Sequence, residues 1–292
     1  MNIVEVGPRD GLQNEKRSLD AATRVRYIEM IVDTGVDRIE AVSFARPDRV
    51  PQMAHAEEVM AGVPHRAGLR YSGLVMNPKG VERAIACGVD EANIVIVATD
   101  EFSRRNQGAT VRESLDRLPA MIDALGAAGI PSTVTIGASF GCPFEGEVPV
   151  DRVGEIAAAV ASLPIAELAL ADTIGVAVPR DVHERVARVR EVTDLPLRLH
   201  LHNTRNTGYA NAVAGVEAGV QTLDASTGGI GGCPFAPAAT GNIATEDLLY
   251  LAERSGWAPT VDREQVIAAT AFITGELSVQ PDALLGRAGG FP

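Results

Sequence analysis

Along the 292-residue chain, short β-branched or apolar runs alternate with longer stretches of helical spacing, and this beat constrains the fold more than any single motif. The short runs predict strands at residues 3–6, 38–44, 71–76, 92–98, 132–138, 167–171, 197–202 and 222–225. Between and after them the spacing predicts helices at 21–34, 53–61, 78–87, 111–128, 150–162, 179–193, 206–218 and 245–254. Gly35, Gly88, Gly129 and Gly219 each follow a periodic segment, and Pro78 and Pro179 fall at first-turn positions, the usual helix punctuation. Eight such units with no long linker predict a single (β/α)8 TIM barrel over residues 1–292, with 262–287 as a C-terminal helical appendix that caps it or meets a second subunit. A doubly wound sheet would want Gly-x-Gly-x-x-Gly after its first strand. Here Val6 is followed by Gly7-Pro8-Arg9-Asp10-Gly11-Leu12-Gln13.

Composition removes several classes of partner. With 26 Lys and Arg against 38 Asp and Glu, the formal charge is −12, which leaves no cationic surplus for a nucleic-acid footprint. No apolar run approaches the roughly 20 residues of a membrane-spanning helix. Cys87, Cys142 and Cys233 are too few and too scattered for a disulfide framework, and the first residues enter a strand pattern at once. A cytoplasmic protein with reduced thiols is expected.

Chemistry in such a barrel gathers at the carboxyl ends of the strands. Arg9 and Asp10 follow the first strand, and Glu40 and Ser43 lie on the second. Asp172 and Thr173 end the sixth, His200 and His202 end the seventh, and the eighth runs into the loop 226–232, Cys233 and Asn242. His200 and His202, two apart on a strand, point to one side and can meet one ion. Taken alone, the pair fits two inert, hydrogen-bonded imidazoles better than it fits a pair of ligands. Asp10 and Asn242 add a carboxylate and an amide oxygen from neighbouring strands, and the set suits Mg²⁺ or Mn²⁺ better than a structural zinc. Arg9 can hold a carbonyl or carboxylate oxygen, and Glu40 is placed to orient Arg9 or Asp10. His55, His65 and His183 read as surface residues. The glycines at 228, 229, 231 and 232 predict a loop that swings over the site, and a thiol at Cys233 can act there as a general acid. Gly-Cys-Pro-Phe also occurs at 141–144 without those glycines, so Cys142, like Cys87, is expected to be structural.

These residues carry a resemblance to the 3-hydroxy-3-methylglutaryl-CoA lyase family of metal-dependent barrel lyases, along nearly the whole chain. Its most specific stretches are Val4-Glu5-Val6-Gly7-Pro8-Arg9-Asp10-Gly11-Leu12-Gln13-Asn14-Glu15, Ile39-Glu40-Ala41-Val42-Ser43-Phe44 and Ala171-Asp172-Thr173-Ile174-Gly175. To these are added Gly229-Ile230-Gly231-Gly232-Cys233-Pro234-Phe235 and Gly241-Asn242-Ile243-Ala244-Thr245-Glu246-Asp247. The resemblance implies a divalent cation held by Asp10, His200, His202 and Asn242, with Arg9, Glu40 and Cys233 catalytic alongside Asp10. Gln13, Ser43, Asn77 and Asp172 are expected to contact the acyl-CoA substrate, and a homodimer is expected.

The implied reaction is retro-Claisen cleavage of a tertiary 3-hydroxyacyl-CoA to acetyl-CoA and a keto product, with Asp10 or His200 as base. Asn203 after the second histidine, Ala169 before Asp172 and Phe235 after Cys233 depart from the lyase pattern and bear on the acyl group. Citramalyl-CoA and longer 3-alkyl-3-hydroxyglutaryl-CoA stay open beside the methyl compound. Condensation of acetyl-CoA with a 2-oxo acid, suggested by His-x-His-Asn, and non-catalytic binding of acyl-CoA or metal are the other readings. An anionic CoA ester on a chain of charge −12 requires a locally positive entrance, for which Lys79, Arg104, Arg105 and Arg205 are candidates beside Arg9.

Overall fold

A computed structural model describes residues 1–232, 241–257 and 259–291. Among them, eight parallel strands close into a barrel in chain order: β1 (Asn2–Glu5), β2 (Arg38–Ser43), β3 (Arg70–Val75), β4 (Glu91–Val97), β5 (Ser132–Gly137), β6 (Glu167–Asp172), β7 (Leu197–Leu201) and β8 (Thr222–Ala225). The predicted TIM barrel is the observed fold. β1 and β8 seal it through a register that pairs Asn2 with Thr222 and Glu5 with Ala225. All residues of β2, β5, β6, β7 and β8 are buried, as befits strands covered by helices on one side and by the barrel interior on the other.

The outer layer comprises α1 (Ala21–Asp33), α2 (Ala56–Gly62), α3 (Pro78–Cys87), α4 (Asp100–Gln107), α5 (Val111–Ala127), α6 (Val150–Ala161), α7 (Pro179–Arg190), α8 (Gly208–Glu217) and α9 (Thr245–Ser255). Local chemistry sets their ends: Asp20 accepts from Thr23 N at the start of α1, and Thr110 and Glu113 form a reciprocal cap on α5. The apolar spacing of the sequence does not reveal α4. Only Phe102 and Ser103 of its eight residues are buried, so it carries no apolar stripe to read. α10 (Arg263–Leu277) lies against α1 and α9, and the short α11 (Leu285–Ala288) follows it.

The barrel interior is not uniformly apolar. At its amino-terminal end Arg38 Nη2 lies 2.5 Å from Glu91 Oε1, Arg38 Nη1 lies 2.8 Å from Glu167 Oε2, and Arg198 Nε lies 3.2 Å from the same Glu167 oxygen. Arg198 is fully buried. A layer of paired charges therefore occupies space that branched aliphatic side chains usually fill.

Candidate active site

The mouth of the barrel is organised first by the turn after β1. The carbonyl of Val6 accepts from the amides of Arg9 (3.2 Å), Asp10 (2.8 Å) and Gly11 (3.2 Å), so five residues, Gly7–Gly11, wind into one wide helical turn. A side chain at Gly11 would meet Ile230 Cγ1 at 2.7 Å, so only glycine lets this turn approach the loop after β8. The turn delivers Arg9 and Asp10 together. Arg9 Nε donates to Glu40 Oε2 at 2.6 Å and Nη1 donates to Asp10 Oδ1 at 2.5 Å. Glu40 in turn accepts from Asn93 Nδ2 at 2.7 Å, and Asn93 accepts from Thr135 Oγ1 at 2.8 Å. The guanidinium is thus held from behind by a chain of buried groups, and Glu40 orients Arg9.

β7 and the residue that follows it supply the imidazoles. His200 Nε2 lies 3.2 Å from His202 Nε2, and Asp10 Oδ2 lies 3.7 Å from the first and 4.0 Å from the second. Asn242 arrives by an antiparallel bridge to His202, fixed by Asn203 N donating to Gly241 O and Ile243 N donating to Leu201 O. Its Nδ2 donates to Asp10 Oδ2 at 2.9 Å, while its Oδ1 is buried without a hydrogen-bond partner among the described residues. The ligand atoms of Asp10, His200 and His202 all lie within 4.8 Å of one another. One carboxylate, two imidazole nitrogens and an orphaned amide oxygen are a donor set that fits a divalent cation with positions left for substrate.

The charges reinforce one another. Burial works against an ionised Asp10, but Arg9, His200 and His202 outweigh it and hold the carboxyl well below the usual carboxylate range. Burial would also lower His200, yet its hydrogen bond to Asp224 and the charge of Asp10 raise it above an ordinary imidazole.

A cavity of about 970 Å³ opens over this cluster, lined by Arg9, Asp10, His200, His202, Gln13 and Asn77 among others. Asn77 also caps α3, its Oδ1 accepting from Gly80 N. Ser43 and Asp172, expected to contact acyl-CoA, are not brought to the cavity. The Ser43 hydroxyl is fully buried and accepts from Ala45 N. Asp172 sits between Ala171 and Thr173, both cavity-lining, so the period-two strand turns it outward. There its oxygens accept from Val176 N and Ala177 N and brace the β6–α7 loop.

The cationic entrance also differs from expectation. Arg104 and Arg105 line the cavity, but Lys79 does not, and Arg205 donates to the carbonyls of Ile174 and Gly175. Arg46 and Arg49 take their place. Their signal was the Arg-Pro-Asp-Arg run just after β2. Arg46 pairs with Asp48, Arg104 with Asp100 and Arg105 with Glu101, whereas no ion pair engages Arg49 among the described residues. His55, His65 and His183 are exposed and away from this cavity.

The loop after β8 is less free than its glycines suggest. Glu5 Oε1 accepts from Gly7 N and Thr227 N, each at 2.8 Å, and its Oε2 accepts from Thr245 Oγ1. Glu246 accepts from Gly228 N at 2.9 Å and from Thr270 Oγ1 at 2.6 Å. Two buried carboxylates thus clamp the first half, Thr227–Gly229, in a tight turn. Further on, Gly232 lines the cavity and its carbonyl accepts from Asn14 Nδ2. Cys233 and Phe235 lie outside the described residues. Cys142 is buried and its sulfur accepts from Thr99 Oγ1 at 3.0 Å, a structural setting.

Residues 1–273 match the family model described as HMGL-like. The chain belongs to the HMGL-like family. It is 42% identical to the (R)-citramalyl-CoA lyase of Chloroflexus aurantiacus, covering 99% of this chain and 95% of that protein. It is 37% identical to the mitochondrial hydroxymethylglutaryl-CoA lyase of Gallus gallus, covering 99% and 97%. The HMG-CoA lyase of Bacillus subtilis superposes with a TM-score of 0.95 at 33% identity, over 98% of this chain and 97% of that one. An HMG-CoA lyase from Acinetobacter baumannii, solved with coenzyme A and 3-methylmalate, gives a TM-score of 0.95 at 35% identity, over 99% and 95%. This HMGL-like protein is a lyase. Among its described residues no helix is long and apolar enough to cross a membrane.

Proposed function

We propose that the protein cleaves a tertiary 3-hydroxyacyl-CoA, of the 3-hydroxy-3-methylglutaryl-CoA or citramalyl-CoA type, to acetyl-CoA and a keto product. The observation that carries this is the meeting of Arg9, Asp10, His200 and His202, with Asn242 bonded to Asp10 behind them, at one cavity whose rim bears Arg46, Arg49, Arg104 and Arg105. The rim arginines suit the phosphates of CoA, and the volume suits a ligand of that class. Asp10, His200, His202 and Asn242 would hold Mg²⁺ or Mn²⁺, and a cation held there would supply the positive charge that acidifies the substrate hydroxyl. Asp10 takes the hydroxyl proton as the C2–C3 bond breaks. Arg9, fixed by Glu40, stabilises the enolate oxygen that develops on the acetyl-CoA side. We assign Cys233 as the acid that protonates the enolate carbon, on the glycines before it and the family resemblance.

We further propose that the chain acts as one barrel unit with 262–287 as a helical appendix, in a cytoplasmic homodimer. Exposed Val279, Leu284 and Phe291 on that appendix and beyond, and the free thiols of Cys87 and Cys142, support this. A peak of twice the chain mass by light scattering is expected; a monomer contradicts it. For the reaction, a panel of 3-hydroxy-3-alkyl acyl-CoAs is incubated with Mg²⁺ or Mn²⁺ and scored for acetyl-CoA. Release from at least one supports the proposal. No release, or liberation of free CoA from acetyl-CoA and a 2-oxo acid, overturns it.

A further inference from the structure

Behind the His–Asp cluster, Asp224 on β8 lies in register with His200 on β7 and with Val4 on β1. Its Oδ2 is 3.1 Å from His200 Nδ1, and its Oδ1 is 3.3 Å from Arg198 Nη1. Asp224 is buried, at 4% exposure, and its oxygens stand outside the group of atoms that could hold an ion. An ionised carboxylate can only accept, so the contact assigns the proton of a neutral His200 to Nδ1 and leaves the Nε2 lone pair facing His202 and Asp10.

Arg198 holds Asp224 from the other side. It lies 3.2 Å from Glu167, which lies 2.8 Å from Arg38, which in turn reaches Glu91. His200, Asp224, Arg198, Glu167, Arg38 and Glu91 therefore alternate donor and acceptor from the mouth down the barrel interior. A buried ladder of this kind gives Asp224 one stable position, since moving it would strip a fully buried guanidinium of a partner.

We propose that Asp224 is a positioning residue that fixes the tautomer and ring orientation of His200 for binding a divalent cation, with Arg198 as its anchor. The proposal rests on the metal-dependent reading of the site. Outer carboxylates that orient a ligating histidine typically raise metal affinity by about 10–100-fold.

The test titrates metal-free protein with Mn²⁺ by calorimetry, comparing wild type, Asp224→Asn and Glu167→Gln. Asp224→Asn keeps the shape but removes the charge that holds Nδ1–H, and a loss of about 10–100-fold in Mn²⁺ affinity is expected, with the far-ultraviolet spectrum retained. Glu167→Gln strips a charge from the same Arg198 without touching His200; it should lower the melting temperature yet leave Mn²⁺ affinity within about twofold of wild type. Wild-type affinity in Asp224→Asn, or an equal loss in Glu167→Gln, overturns the proposal. Independently of whether any variant folds, the ¹⁵N shifts of neutral His200 in metal-free wild type should show a protonated Nδ1 and a bare Nε2. The opposite tautomer overturns the positioning role alone, whereas a wild type that binds no Mn²⁺ overturns the metal reading with it.

Discussion

Two buried clusters of arginine and carboxylate share one barrel, and they differ in what they leave open. At the amino-terminal end Arg38, Glu91, Glu167 and Arg198 lie away from the cavity, their charges met by one another and by Asp224. At the mouth, Arg9, Asp10 and Glu40 make equally short contacts, but beside them stand two imidazoles, a partnerless amide oxygen and a cavity of about 970 Å³. Residue type alone therefore does not mark a site. Unfilled bonding capacity next to accessible volume does, and the closed cluster serves as a foundation for the open one.

Substitutions can break that contrast, and the largest effect belongs at the mouth. Arg9→Ala should lower kcat by about 10²–10³-fold, the usual loss for one oxyanion donor, in a protein that still folds although buried Glu40 loses its partner; steady-state kinetics on a cleaved acyl-CoA checks it. In the closed cluster the loss falls on stability instead. Glu167→Gln should cost about 1.5–3 kcal/mol in denaturant titration, because Arg38 and Arg198 each lose one of two carboxylate partners, while the folded enzyme keeps its kcat. Equal kcat losses in the two variants would erase the distinction.

A smaller effect tests the clamp under the β8 loop. Burial pushes Glu246 up to about 7 from 4.5, despite the Thr270 hydroxyl and the Gly228 amide that favour its charge. A carboxyl whose folded pKa lies above its unfolded value contributes stability fully below the unfolded value and loses it as pH rises through the folded one. Relative to Glu246→Gln, wild type should therefore lose about 3 kcal/mol between pH 4.5 and a pH above 7, read from paired melts. A difference that does not vary with pH would contradict it. The smallest effect is expected at the rim: Arg49→Ala should raise KM about tenfold with kcat unchanged, as for one lost charge contact to a phosphate. An unchanged KM would remove Arg49 from the CoA path.

Much of this was legible in the chain because two kinds of signal are local. Strand and helix periods belong to single segments, so all eight strands could be placed before the barrel was seen. The carboxyl-end rule then drew Arg9, Asp10, His200, His202 and Asn242 toward one mouth. What escaped depends on partners distant in sequence. The ladder through Asp224 and Arg198 needs the side-chain directions of β2, β4, β6, β7 and β8 together. The outward turn of Asp172 is decided by strand phase rather than by its motif, and α4 lacks the apolar stripe that announces a helix. Glu5 and Glu246 stood inside recognised motifs, yet their grip on the loop appears only once α9 and α10 pack beneath it.

The central claim is that the open cluster at the mouth is a metal-dependent lyase centre. Its most direct test is acetyl-CoA release from a cleaved 3-hydroxyacyl-CoA by protein stripped with chelator, then supplied with Mn²⁺. The account predicts turnover abolished by stripping and restored by Mn²⁺ in wild type but not in His202→Ala. Undiminished cleavage in the stripped protein would contradict it.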